Sequence, residues 1–177
     1  MPRLRLRGFT LAEVLVVLAV SALVGSLALP ALSDAIARHR LRAAADDLLE
    51  TLQNARSMAV WRDRGTIVCA SSDGRTCTWS ADWSGGWIGR ARSGATVFTS
   101  SAALDGKLAA LHRSGRHGVD FTRNGTSPGT NQTVVLCVRG RPSTAVSIVI
   151  GNAGRPHRQP AAPDDAAQCA RATPRTR

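Results

Sequence analysis

One unbroken apolar stretch near the start limits what this chain can fold into. From Phe9 to Leu32 the only polar side chains are Thr10, Glu13, Ser21 and Ser26. A bilayer core takes about 20 apolar residues as a helix, so the run is long enough to cross one. A soluble domain has no use for a helix that is apolar on all its faces unless that helix is fully buried. The run also holds a carboxylate, Glu13, at a cost of about 2.5–3.5 kcal/mol in lipid, and such a group marks function. Arg3, Arg5 and Arg7 precede the run and favour a cytoplasmic N-terminus, while Arg38, Arg40 and Arg42 beyond it weaken that bias.

The helical pattern continues past the apolar run. Leu41, Ala45, Leu48, Leu52, Ala55 and Ala59 recur at spacings of four and three, which places them on one helical face. Arg42, Asp46, Asp47, Glu50 and Arg56 occupy much of the remainder. We expect one helix over 9–64, transmembrane over 9–32, kinked or loosened near Pro30 and closed by Gly65 as its C-terminal cap.

After Gly65 the pattern changes. Thr66–Ser71, Trp87–Arg92, Thr96–Thr99, Val119–Thr122, Thr133–Val138 and Ala145–Ile150 are short β-prone runs. Turn formers separate them: Ser72-Asp73-Gly74, Ser84-Gly85-Gly86, Asn124-Gly125 and Gly140-Arg141-Pro142. The pattern predicts an antiparallel β-rich head over 65–158. Residues 159–177 are rich in Pro, Ala, Asp and Arg and lack apolar periodicity, so an irregular tail is expected there.

The formal net charge is +11, and Lys107 is the only lysine. Arginine is always charged and suits forked contacts with phosphate, so the balance favours a polyanion or a membrane surface as partner. Trp79, Trp83 and Trp87 recur every four residues. Such a series can stack bases, but core or hairpin packing is the role expected for it. Cys69, Cys77, Cys137 and Cys169 make an even count downstream of a membrane segment, which fits an oxidising compartment. No Cys-x-x-Cys pair is present, and His39, His112, His117 and His157 have no nucleophile partner in a known triad setting. We expect no catalytic site, no metal and no cofactor.

The stretch Arg7-Gly8-Phe9-Thr10-Leu11-Ala12-Glu13 resembles the class III leader of type IV pilins and type II secretion pseudopilins, matching at Gly8, Phe9 and Glu13. Pro30 matches a proline common in the helices of this group. An ordinary secretory signal would be cut near Ala28 to Ala35 and leaves the acid unexplained. The resemblance implies a leader over 1–8, cleavage by prepilin peptidase after Gly8, and methylation of the new Phe9 amine. It also implies an assembly role for Glu13, paired in the filament with the Phe9 amine of a neighbouring pilin. The expected location is the bacterial inner membrane, single pass, with the head in the periplasm or on a surface filament.

A second resemblance is narrower. Ala55-Arg56, Cys69, Ser71-Ser72-Asp73-Gly74, Cys77 and Trp83-Ser84-Gly85-Gly86-Trp87 are similar to the GspH/FimT group of minor pilins and pseudopilins. It implies an α+β, type IV pilin-like fold: a long N-terminal transmembrane and amphipathic helix packed on an antiparallel β-rich head. Four cysteines allow three connectivities, all open to the sequence. The pairs expected are Cys69–Cys77, around the Asp73-Gly74 turn, and Cys137–Cys169, tying the tail to a strand.

Two functions follow from the resemblance. One is structural: a minor pilin or pseudopilin incorporated into a type II secretion pseudopilus or a type IV pilus. The alternative is a DNA receptor in natural transformation. The FimT side of the group resembles proteins that hold DNA near a C-terminal Gly-Arg-x-Arg motif. This chain reads Gly154-Arg155-Pro156-His157-Arg158, with its second arginine one residue late, and also carries Gly140-Arg141. On that reading Arg139, Arg141, Arg155 and Arg158 contact double-stranded DNA.

Overall fold

The computed structural model describes residues 10–94, 96–113, 117–129 and 131–173, with Leu27, Ala28 and Pro30 described through their backbone alone. The expected leader, residues 1–8, and the cleavage pair Gly8 and Phe9 lie outside the described residues. The chain divides into two units, one ending at Ile36 and one beginning at Ala37. Helix α1, Leu11–Trp61, supplies all the described regular structure of the first unit and the opening element of the second.

In the first unit every described Val, Leu and Ile from Leu11 to Ile36 is exposed. This stretch of α1 is long and apolar enough to cross a membrane. The helix continues through Pro30 without a break in its assignment.

The second unit holds two four-stranded antiparallel sheets. The first has the order β3-β2-β1-β5, with β1 Thr66–Ala70, β2 Trp87–Ala91, β3 Val97–Ser100 and β5 Gly118–Phe121. The second has the order β4-β6-β7-β8, with β4 Leu108–His112, β6 Gln132–Val138, β7 Arg141–Ile150 and β8 Pro156–Pro160. A short helix, α2, follows over Pro163–Arg171.

The main core lies between α1 and both sheets. Ala37, Leu41, Ala45, Leu48, Leu52, Ala55 and Ala59 are all buried there, as the three-and-four spacing requires. Facing them are Val68, Trp83, Trp87, Phe121, Leu136 and Ile148. Strand β6 alternates. Val134, Leu136 and Val138 enter this core, whereas Val135 and Cys137 enter a second cluster with Ala109, Ala145, Ala166 and Cys169. The second sheet is therefore covered on one face by α1 and on the other by α2.

Three expectations need correction. Gly65 is not the helix cap. The helix ends at Trp61, and the left-handed residue is Asp63 at φ 49°. Arg64 N–H donates to Ala59 at 3.1 Å and Asp63 N–H to Val60 at 3.3 Å, the pair of bonds that defines a Schellman ending. Aspartate tolerates this conformation better than most side chains.

Second, of the tail expected to be irregular over 159–177, the described residues 159–171 are mostly regular. Gln159 and Pro160 end β8, and α2 follows with a proline in its first turn. Asp164 and Asp165 in that turn and Arg171 in the last one suit the helix dipole. Ala166 and Cys169, three apart, form its buried face. The expectation failed because that face is only two small residues wide. The head accordingly runs from Ala37 in α1 to α2, wider than 65–158 at both ends.

Third, Arg141 and Pro142 belong to β7, and the turn before it is confined to Arg139 and Gly140, with Gly140 at φ 74°.

Candidate functional site

The first candidate is the start of α1. Thr10 N–H donates to Glu13 Oε2 at 2.9 Å, and the Thr10 hydroxyl donates to the same oxygen at 3.1 Å. In return Glu13 N–H donates to Thr10 Oγ1 at 3.3 Å. With Leu11 as the first helical residue, Thr10 is the N-cap and Glu13 the third helical position, which makes a capping box. Reading Glu13 only as a charge in lipid misses this, although Thr10-Leu11-Ala12-Glu13 carries the spacing. The consequence is a carboxylate held in one orientation at the positive end of a helix whose first turns are otherwise apolar.

The second candidate is the set of arginines read as a DNA surface, and the fold scatters them. Arg139 is a brace inside the head. Its Nε donates to Gly106 at 3.1 Å, its Nη1 to the Ala172 carbonyl, and its Nη2 reaches Ser84 Oγ at 3.5 Å. Burial lowers its pKa from the usual arginine value. Arg155 lies on the turn between β7 and β8, next to the Ile150–Pro156 pair. Arg141 begins β7, at the far end of that strand.

Arg141 and Arg158 do come together, in company the sequence reading did not anticipate. Both line a groove of about 390 Å³ with Arg38 and Arg42 of α1. Arg158 also pairs with Asp46 of α1. Arg40, between the two helix arginines, is instead paired with Asp105. Arg38 and Arg42 were legible as a pair one turn apart, but nothing in the sequence says which strands face that turn.

Glycine in Gly154-Arg155 has a packing role. Gly154 sits at φ 70°, and a Cβ on it would lie 1.9 Å from the Gly125 carbonyl oxygen. That carbonyl also accepts a hydrogen bond from Arg56 Nε at 2.9 Å. The Gly-Arg step is thus fixed by contact with the neighbouring Asn124-Gly125 turn.

The cysteines form two bridges, Cys69–Cys77 and Cys137–Cys169. Inside the first loop Asp73 accepts from the N–H groups of Arg75 and Thr76, both at 2.8 Å, and from the hydroxyls of Thr76 at 2.7 Å and Ser71 at 2.9 Å. These bonds hold its carboxyl well below the usual carboxylate range, the Thr76 N–H contributing most. Trp83 and Trp87 are fully buried, and Trp83 stacks on His112 with ring centroids 5.3 Å apart. Trp79 is 57% exposed, so the three rings make no common platform.

Comparison with known proteins bears on this geometry. Residues 44–154 match the family model described as type II transport protein GspH. Residues 3–29 match the prokaryotic N-terminal methylation motif. Two crystal structures of the Pseudomonas aeruginosa type IV minor pilin FimU are similar to this chain. One is 30% identical, covers 67% of this chain and 92% of its own, and has a TM-score of 0.56. The other is 27% identical, covers 75% and 96%, and has a TM-score of 0.58. Among curated proteins none matches. The relatives are structural pilins, not enzymes. With the head and the N-terminal motif both matched, this chain belongs to the GspH/FimT family of minor pilins and pseudopilins.

Proposed function

We propose that the chain is a minor pilin of a type IV pilus. On this reading it is made as a precursor, cut by prepilin peptidase between Gly8 and Phe9, and methylated on the Phe9 amine. One pass of α1 holds it in the bacterial inner membrane, with the head outside the cytoplasm. The observation that carries the reading is a single carboxylate, Glu13, at the start of a helix whose other described side chains are apolar and exposed as far as Ser21. An exposed apolar helix needs lipid or other helices around it. A carboxylate there needs a cation, and the amine of Phe9 on a neighbouring pilin supplies one. Exchange of the Thr10 bonds for that ion pair would fix the axial step between subunits.

The likeness to FimU favours a pilus over a secretion pseudopilus. The DNA-receptor alternative has less support, because Arg139 is engaged inside the head and Arg155 lies at the opposite end of β7 from Arg141.

Mass spectrometry of the membrane-bound chain tests the processing, with a mature N-terminus at N-methylated Phe9 as the expected result. A chain beginning after Ala28 overturns it. Glu13→Ala tests assembly. The variant should enter the membrane normally and be missing from sheared pili, and normal incorporation would remove the pairing role.

A further inference from the structure

The groove lined by Arg38, Arg42, Arg141 and Arg158 has no place in that function. We infer that it binds the phosphate of an anionic lipid headgroup at the membrane surface. The inference rests on the anchoring proposed above.

The chemistry of the groove is one-sided. Arg38 and Arg42 stand one turn apart on α1, Arg141 opens β7 and Arg158 lies on β8, and all four line the same space of about 390 Å³. Ser143 adds a hydroxyl to the lining. None of its described lining residues is an acid, although Asp46 offsets part of the charge through its pair with Arg158 and Arg141 also has a partner. Like charges gathered in one concave space repel and concentrate potential there. An anion with several oxygens relieves that repulsion, and guanidinium forks match phosphate in geometry as well as in charge.

Position along the chain selects the source of the phosphate. The apolar run ends at Leu32, and α1 is assigned as one helix from Leu11 to Trp61. In the sequence Arg38 follows Leu32 by six residues and Arg42 by ten, so the helix wall of the groove begins directly after the apolar run. The headgroup layer beyond the hydrocarbon is about 5–8 Å thick on each side, and arginine reaches several ångströms along its stem to place its charge there. Juxtamembrane arginines each contribute about 1 kcal/mol to attraction toward anionic lipid. Nucleic acid would have to enter a groove whose first lining residue, Arg38, stands only six positions after the apolar run in the sequence.

The test uses the full chain in nanodiscs of phosphatidylcholine mixed with phosphatidylglycerol, with retained lipids identified by native mass spectrometry. The expected result is retention of phosphatidylglycerol over phosphatidylcholine by on the order of tenfold, a factor that corresponds to about 1.4 kcal/mol. The quadruple variant R38Q/R42Q/R141Q/R158Q should lose the preference. A control with R62Q, R64Q, R75Q and R123Q removes the same charge elsewhere and should keep it. If the quadruple variant fails to fold, R38Q/R42Q alters only exposed helix positions and should still cut the preference several-fold. Equal retention of both lipids, or a preference untouched by R38Q/R42Q, overturns the inference. So does a short DNA duplex that displaces the lipid and is itself lost in the quadruple variant, since the groove would then be a nucleic-acid site. A chain that inserts but shows no preference sinks this inference alone. A chain that stays out of the discs sinks the anchoring reading and this inference with it.

Discussion

Arg56 Nε donates to the Gly125 carbonyl at 2.9 Å, and Gly154 packs against that same carbonyl. One oxygen thus joins the helix, the loop after β5 and the turn after β7. The arginine of the Ala55-Arg56 pair is explained by this tie, as is the glycine of the Gly154-Arg155 step.

Substitution at either partner should therefore destabilise the head. Gly154→Ala puts a Cβ into the Gly125 oxygen at a left-handed position, and a loss of about 3 kcal/mol or more is expected. Arg56→Ala removes a charge-assisted bond and should cost about 1–3 kcal/mol. Urea unfolding of the full chain in detergent measures both.

Asp73 predicts a pH dependence. Its folded pKa lies below the unfolded value, so its bonds contribute stability above the ordinary aspartate pKa of about 3.9. That contribution is lost as pH falls from there through the folded pKa. The melting temperatures of the parent and Asp73→Asn should differ by a constant amount near neutrality and converge below about pH 4. A difference that persists unchanged into acid would show that the Asp73 carboxylate is not the cause.

The helix ending makes opposite predictions two residues apart. Asp63→Gly relieves the left-handed strain and should stabilise the head by about 0.5–1 kcal/mol. At Gly65 a Cβ meets Phe121 O at 3.4 Å and the Arg92 side chain at 3.6 Å, both ordinary contacts. Gly65→Ala should cost less than about 0.5 kcal/mol. If Gly65 were the true cap, thermal melts would give the reverse order.

Removing the Cys137–Cys169 bridge should loosen α2 first. Replacing both residues with Ala is expected to cost about 2–4 kcal/mol. Hydrogen exchange should quicken across Pro163–Arg171 while the face of α1 from Leu41 to Ala59 stays protected.

The sequence shows some of this fold plainly and conceals the rest for physical reasons. The face from Leu41 to Ala59 is legible because a helix repeats its burial every three or four residues and each member is apolar. Strand β4 is hidden: Leu108-Ala109-Ala110-Leu111-His112 contains no β-branched residue, and its pairing with β6 makes it a strand. Strand β8 is hidden more deeply, since Pro-His-Arg-Gln-Pro has no apolar alternation and exists through β7 alone. At the site, Glu13 is legible because a charge in an apolar run stands out. The brace at Arg139 is not, since Gly106 and Ala172 reach it only after the chain has closed around it.

Strand β8 lies at one edge of the second sheet and begins and ends with proline. At the other edge, β4 is already met by the segment around Asp82, through the Asp82–Leu111 bridge and the Trp83 N–H bond to Ala110 at 2.8 Å. A sheet with open edges can add strands from another molecule without limit. Proline offers no donor for such growth, and an edge already covered offers no room. Two heads that collide in the crowded space beside a membrane therefore cannot zip together through this sheet. On the function proposed above, register in a filament is then left to the apolar start of α1 and its one carboxylate, Glu13, and not to pairing of this sheet.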